Sequence, residues 1–321
     1  MRNVKEVTAA LKRYNNFLIT AHINSEGDSI GSQLAMATLL KKLKKRYIIF
    51  DNDPVPKSLR FLLGNEVIKT RLTKKDKFDV LVSVDCPTIA RTGKVAPYFA
   101  DAKRVINIDH HVSNKKFGDI LWVEPDMSSC GEMLYYLYGN MGVAIDKRAA
   151  LLMYVAILTD TGYFSYENTT YKTHEIVSEL LKTGIEPLWV GKQLNETKSL
   201  NDLKLLNETL NTLKLHYNNQ VATLYTTKKM LRRLNLHPAS AEGFVNYGRS
   251  INTAKVAIFF LERPDKPGEV HVSFRSNGAV DVNRLARVFK GGGHVNASGC
   301  LIKGSIAHAQ KTILPQTKLF L

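Results

Sequence analysis

Two apolar periods alternate along the chain. Val4, Val7 and Leu11 recur at helical spacing and predict a short first helix. "NFLITAH" then reads as a buried strand. "GDSIGSQLAMATLLKKL" returns to the helical pattern, with Ser25 as a candidate cap. "RYIIF", "FDVLVSVD" and "RVINIDHH" are further apolar runs of strand length that end in polar residues. Helical patterns intervene or follow, as in "SCGEMLYYLYGNM" and "DKRAALLMYVAILTD". This alternation predicts a mostly parallel α/β sheet.

After Gly184 the texture changes. "EPLWVGKQLNETKSLNDLKLLNETLNTLKL" is helical and polar on one face, and reads as a connecting segment. Beyond it, "QVATLYTT", "KVAIFFLE" and "EVHVSFRS" read as strands, and "VDVNRLARVF" as a helix leading into "KGGGH". The expectation is an α/β chain of two domains: a first domain with the mostly parallel sheet over residues 1–190, a helical linker over 191–215, and a smaller α/β domain over 216–321.

Composition narrows the class. The 321 residues are 44% hydrophobic and 23% charged, as in a folded globular protein. The apolar run "LLMYVAIL" is far short of the roughly 20 residues a membrane helix needs, so no membrane is expected. The N-terminal segment spreads its charges and has no apolar core, which predicts no signal peptide. Cys86, Cys130 and Cys300 are distant and odd in number, which suits a reducing cytoplasm. The net charge of +16 favours polyanionic partners, although lysine runs such as "KKLKKRY" also serve as solvated faces.

Open α/β sheets bind ligands beyond the carboxyl ends of their strands. After the first predicted strand stand His22, Glu26 and Asp28; after the third, Asp85; after the fourth, Asp109, His110 and His111. The helix "LLMYVAILTD" adds Asp160. Taken singly, each has an ordinary reading as a turn former, a helix end or an exposed histidine. Together they gather carboxylates and imidazoles at one sheet edge. That donor set suits two divalent ions such as Mn²⁺ or Mg²⁺, and the lack of paired cysteines argues against structural zinc.

"HINSEGD", "VDCP", "DHH" and "TDTG", in this order, resemble the DHH phosphoesterase superfamily. "KGGGHVNASG" resembles the glycine-rich motif of its companion DHHA1 domain. The compact layout is similar to that of the NrnA-type branch, the oligoribonucleases and pAp phosphatases. This resemblance implies a two-metal site: His22, Glu26 and Asp85 on one ion, and Asp28, Asp85, His110 and Asp160 on the other. It also implies that Asp109 orients His110 and that His111 faces the scissile phosphate. The sequence departs from the family pattern where Ser25-Glu26-Gly27-Asp28 replaces Pro-Asp-Gly-Asp, and where Lys290 stands before the glycines. In the second domain, Arg275, Arg249, Gly291, Gly292, Gly293 and His294 are expected to bind substrate, since backbone N–H groups of glycines approach phosphate closely and arginine forks around it.

The expected substrates are short single-stranded RNA and nucleotides, with oligoribonucleotides cut to mononucleotides and 3′-phosphoadenosine 5′-phosphate (pAp) to AMP and phosphate. A cyclic or linear dinucleotide phosphodiesterase is the alternative within the superfamily, and pyrophosphate hydrolysis is disfavoured by GGGH. A non-catalytic nucleic-acid-binding module would not need the metal constellation. A homodimer is the default expectation for such a chain.

Overall fold

The computed structural model describes residues 2–73, 75–196 and 198–321. It divides into two compact units, residues 1–197 and 198–321.

The first unit opens with α1 (Arg2–Arg13), β1 (Asn16–Thr20), α2 (Gly27–Lys42), β2 (Arg46–Phe50), β3 (Ile68–Lys69), β4 (Val80–Val84), β5 (Arg104–Asp109) and β6 (Ile120–Val123). The helices α3 (Cys130–Met141), α4 (Lys147–Asp160), α5 (Tyr171–Leu181) and α6 (Pro187–Asn195) follow. All strand pairings are parallel, in the order β3-β2-β1-β4-β5-β6. The six-stranded sheet reverses direction of growth between β1 and β4, and that is where a doubly wound sheet opens a crevice. Both flanking strands, "NFLIT" and "VLVSV", are buried nearly end to end, as parallel strands covered on both faces are.

The large core of this unit packs α2, α3 and α4 together through Leu34 and Ala35, Met133 and Leu134, and Leu152 and Met153. Small residues set the helix spacing. A Cβ at Gly31 would lie 2.6 Å from the Leu152 carbonyl oxygen, and one at Gly131 would lie 2.5 Å from the Ala156 Cβ. The start of α2 is therefore held firmly against α4, whose last residue is Asp160. The residue capping α2 is Glu26, not Ser25: Ser25 Oγ instead donates to the His22 carbonyl and to Asp51.

The second unit comprises α7 (Leu200–Leu210), β7 (Lys214–His216), β8 (Val221–Thr226), α8 (Lys228–Arg233), α9 (Val245–Arg249), β9 (Val256–Glu262), β10 (Glu269–Ser276), α10 (Val282–Val288), β11 (Gly292–Gly293), β12 (Ala297–Lys303) and α11 (Ile306–Lys318). Its sheet runs β11-β12-β10-β9-β8-β7, antiparallel except for β8 with β9. Strand β10 alternates strictly, with Val270, Val272 and Phe274 inward and His271, Ser273 and Arg275 on the opposite face. The segment read as one helical connector is two helices. The first, α6, belongs to one unit, and α7, begun by a Ser199 capping box, belongs to the other.

Candidate metal centre

The first unit brings six of the eight expected residues into one buried group. Asp28, Asp85, Asp109, His110 and His111 are almost fully buried, as is His22. Ligand atoms of Asp28, His110 and Asp160 lie within 4.8 Å of one another, and so do those of Asp85, Asp109 and His111. Asp160 is partly exposed at the edge, while Glu26 is exposed beside it at the head of α2.

Each side chain is fixed by a local device. Asp28 accepts hydrogen bonds from the backbone N–H groups of Cys130 (2.8 Å) and Gly131 (3.0 Å) and from Ser32 Oγ (2.8 Å). The first turn of α3 thus donates to a carboxylate held on the first turn of α2, a setting that favours negative charge. Asp85 adopts a left-handed backbone with φ +50°, while its N–H donates to the Ile108 carbonyl at 2.9 Å. A non-glycine residue held there stores strain, which is characteristic of functional positions.

The histidines define the electrostatics. His110 Nδ1 lies 3.1 Å from the Met127 carbonyl, an acceptor, so Nδ1 carries a proton. Its Nε2 faces Asp160 Oδ2 (3.2 Å), Asp28 Oδ2 (3.6 Å) and Asp85 Oδ1 (3.7 Å). His22 repeats the pattern, with Nδ1 2.7 Å from the Ile23 carbonyl and Nε2 3.4 Å from Asp85 Oδ2. Neutral imidazoles so oriented aim lone pairs at carboxylate oxygens, an arrangement that calls for cations between them. Protons answer part of that call. Burial works to lower the His110 pKa, but Asp160, Asp85 and Asp28 outweigh it and hold it well above the usual imidazole range. Burial together with Asp85 and Asp160 holds Asp28 well above the ordinary carboxylate range, and burial pushes Asp160 up to about 6. Burial also opposes ionisation of Asp85, yet its bonds to His110 and His22 prevail and keep it well below that range.

The donor set is carboxylate oxygen and imidazole nitrogen, which fits hard or borderline divalent ions. Cys130 Sγ lies in the same cluster and donates to the Ile108 carbonyl at 3.4 Å, while burial and the neighbouring Asp28 hold its pKa well above the usual thiol range.

One expectation is corrected by geometry. Asp109 does not orient His110. Its Oδ1 lies 2.7 Å from His111 Nδ1, and Asn114 Nδ2 bonds its other oxygen. Consecutive side chains leaving a strand point opposite ways, so Asp109 shares a side with His111, while His110 turns to the Met127 carbonyl.

Other residues escaped the sequence reading. Ser29 Oγ donates to Asp85 Oδ2 at 2.8 Å and lies 3.1 Å from His22 Nε2. Asp51 accepts both Gln33 Nε2 contacts (2.9 and 3.0 Å) and Ser25 Oγ, bracing the loop that carries His22. Arg91 Nη2 sits 3.4 Å from His22 Nδ1. The helical period shows that Ser29 and Gln33, four residues apart, share a face of α2, but the partners on other elements have no signal in the sequence.

In the second unit, Arg275 lies opposite Ala257 of β9 and Ala297 of β12, half-buried. Arg249 ends α9, which packs on the same sheet face. Gly291 leads into β11, which Gly292 and Gly293 form, and His294 begins the tight turn to β12, its N–H donating to the Ala297 carbonyl at 2.7 Å. The glycines have a steric reason to be there. A Cβ at Gly291 would lie 2.2 Å from the Gly299 oxygen, and Gly293 has φ +145°.

The chain matches the DHH family N-terminal domain over residues 16–157 and the DHHA1 domain over residues 218–314. It is 30% identical over 306 residues to the bifunctional oligoribonuclease and PAP phosphatase NrnA of Thermus thermophilus, spanning 95% of this chain and 89% of that one. The chain belongs to the DHH phosphoesterase family. It is a metal-dependent hydrolase. The Bacillus subtilis protein described by the same words is 29% identical over 300 residues, 92% of each chain. A crystal structure of an exopolyphosphatase-related protein from Bacteroides fragilis is 28% identical and superposes with a TM-score of 0.89, covering 99% of this chain and 96% of that one. No helix among the described residues is long and apolar enough to cross a membrane.

Proposed function

We propose that this enzyme hydrolyses short oligoribonucleotides to mononucleotides and pAp to AMP and phosphate, with two divalent ions, Mn²⁺ in preference to Mg²⁺. The observation that carries the metal assignment is His110. Its Nδ1 proton is committed to the Met127 carbonyl while Nε2 faces three carboxylates. The substrate assignment is supported by relatives of 29–30% identity that span both domains.

His22, Glu26 and Asp85 would hold one ion, and Asp28, Asp85, His110 and Asp160 the other. Bound there, such ions would supply charge neutralisation at the phosphate and acidify a water. The remaining work belongs to the chain. Asp109 accepts from His111 Nδ1 and so fixes the ring, leaving Nε2 as the nitrogen that delivers a proton to the departing oxygen. Asp28, buttressed by two backbone N–H groups, keeps its geometry whatever the substrate does. The buried walls of the crevice strengthen every charge interaction within it. Arg275, Arg249, His294 and the N–H groups of Gly291, Gly292 and Gly293 hold the substrate's other phosphates. The three free, buried cysteines suit a reducing cytoplasm.

The test is a turnover panel on metal-stripped protein resupplied with Mn²⁺ or Mg²⁺. Substrates are 5′-phosphorylated RNA of about two to five nucleotides, long RNA, pAp, a cyclic dinucleotide and pyrophosphate. Metal-dependent loss of short RNA and pAp with long RNA spared is the expected result. Hydrolysis of pyrophosphate or the cyclic dinucleotide alone would overturn the substrate assignment and leave the metal centre standing.

A further inference from the structure

We propose that Arg91 is a phosphate-binding residue of this centre, its guanidinium gripping the non-bridging oxygens of the phosphoryl group under attack. The inference rests on the phosphoesterase reading and adds to it a group that the motifs do not contain.

Arg91 stands in a 3₁₀ stretch, Ile89–Asp101, that begins four residues after Asp85. Its carbonyl accepts the Ile23 N–H at 2.7 Å, tying the loop after β4 to the loop after β1. Beside it, Thr92 is buried with its hydroxyl on the Ile89 carbonyl (2.7 Å). Gly93 turns with φ +60°, so close to Asn52 and Ile23 that a Cβ would lie 2.4 Å from Asn52 Oδ1. The backbone under the side chain is therefore fixed on both flanks, as positioning of a ligand contact requires.

The guanidinium is placed where it has little structural work. Nη2 lies 3.4 Å from His22 Nδ1, but that nitrogen's proton is already directed at the Ile23 carbonyl, so it offers Arg91 no lone pair. Among the described residues no carboxylate comes within 4 Å of Arg91, although Asp28, Asp85, Asp109 and Asp160 occupy the same crevice. An arginine serving only the fold would take one of those partners. This one is half-buried beside them and keeps its fork of donors unneutralised.

Charge balance explains the use. Asp28, Asp85, Asp160 and Glu26 would serve two divalent ions and Asp109 is bonded to His111, so Arg91 stands at the edge as a positive charge that none of these carboxylates pairs with. An added fixed cation weakens a site built only to hold metal. It helps a site that must also receive an anion whose charge spreads over its non-bridging oxygens during displacement, and a planar fork suits two of those oxygens at once.

The test compares wild type with Arg91→Gln, Arg91→Ala and Arg91→Lys in the Mn²⁺-loaded full chain, using two substrates. One is pAp. The other is bis(p-nitrophenyl) phosphate, a diester with no nucleoside, which engages only the reacting phosphoryl group. Arg91→Gln and Arg91→Ala should lower kcat/KM at least tenfold, by a similar factor on both substrates, and Arg91→Lys should recover part of the loss. Mn²⁺ affinity, read separately by calorimetry, should stay the same or tighten. A loss of less than twofold on the diester would overturn the proposal. So would Mn²⁺ affinity that falls in step with activity, because Arg91 would then merely support His22. A wild-type protein that cleaves the diester but neither pAp nor short RNA would overturn the substrate reading while leaving Arg91 testable on the diester. A wild type inert toward all of them would overturn both.

Discussion

The two units spend their charged residues in opposite ways. The first carries 27 Lys and Arg against 22 Asp and Glu, close to balance, and buries Asp28, Asp51, Asp85 and Asp109. The second carries 18 against 7 and so holds most of the net +16, with Arg284, Arg287 and Lys290 exposed along α10 and its end. Buried acidic charge is costly unless something positive answers it, so it marks a centre built for cations. Exposed basic charge costs little and raises the local concentration of anions. Under the proposed function this difference would divide chemistry from capture: changes in the first unit should strike turnover, and changes in the second should strike affinity.

The largest effect should come from Asp85, the carboxylate shared by His22, His110 and Ser29. Asp85→Asn should cut kcat on pAp by about a thousandfold or more while leaving the circular dichroism spectrum unchanged. A folded variant with near-normal turnover would erase the contrast between the units at its strongest point.

Asp51 tests the claim that burial in the first unit is energetically expensive. Burial pushes its pKa up to about 6, against the opposing bonds from Gln33, Ala21 and Ser25. Between about pH 4 and pH 6 the folded protein therefore keeps a proton that the unfolded chain has released. This group's contribution to stability must fall as pH rises through that window. In urea unfolding of the metal-free protein, wild type should lose on the order of 2 kcal/mol relative to Asp51→Asn between those limits. A wild type and variant that run parallel across the window would show Asp51 ionised at ordinary carboxylate pH, and the loop would then be braced by charge rather than by a shared proton.

Much of this contrast was legible in the residues. Unbroken apolar runs marked β1, β4 and β5, and the polar residues after them marked the crevice, because a parallel strand must end where its ligand edge begins. What escaped was set by partners far along the chain. The two-residue strands β3 and β11 are too short to show a period, and the Asp109–His111 pair follows from strand alternation that the DHH triplet hides. Glu26 is the cap of α2 because Ser25 is drawn off by Asp51, 26 positions later, and no local pattern records that. Ser29 and Arg91 reach the centre through contacts whose spacing is fixed only by the packing of α2 and the joining of two loops.

Arg275 sharpens the comparison from the side of the second unit. Arg275→Ala should raise KM for pAp about tenfold and leave kcat within about twofold, since a grip made equally in ground and transition states acts on binding alone. Turnover of bis(p-nitrophenyl) phosphate should not change. A fall in kcat with KM intact would place Arg275 among the groups that act on the reacting phosphoryl and blur the division.

The smallest effect separates two kinds of backbone strain. Asp85 and Lys290 both hold left-handed backbones, with φ of +50° and +59°. At Asp85 the strained backbone places a carboxylate that His22, His110 and Ser29 share, and the proposed function uses it there. Lys290 follows the end of α10 and is exposed, with its N–H on the Arg287 carbonyl and the Gly291 N–H on the Ala286 carbonyl, a helix ending for which glycine is the natural residue. Lys290→Gly should thus remove a steric cost and stabilise the second unit by about 0.5–1 kcal/mol, read as a small rise in its thermal midpoint. If the lysine only points to solvent, KM for pAp will stay put as stability rises. If KM rises while stability improves, the strain at Lys290 is kept for the sake of its charge, and the second unit, like the first, spends stability to place a functional group.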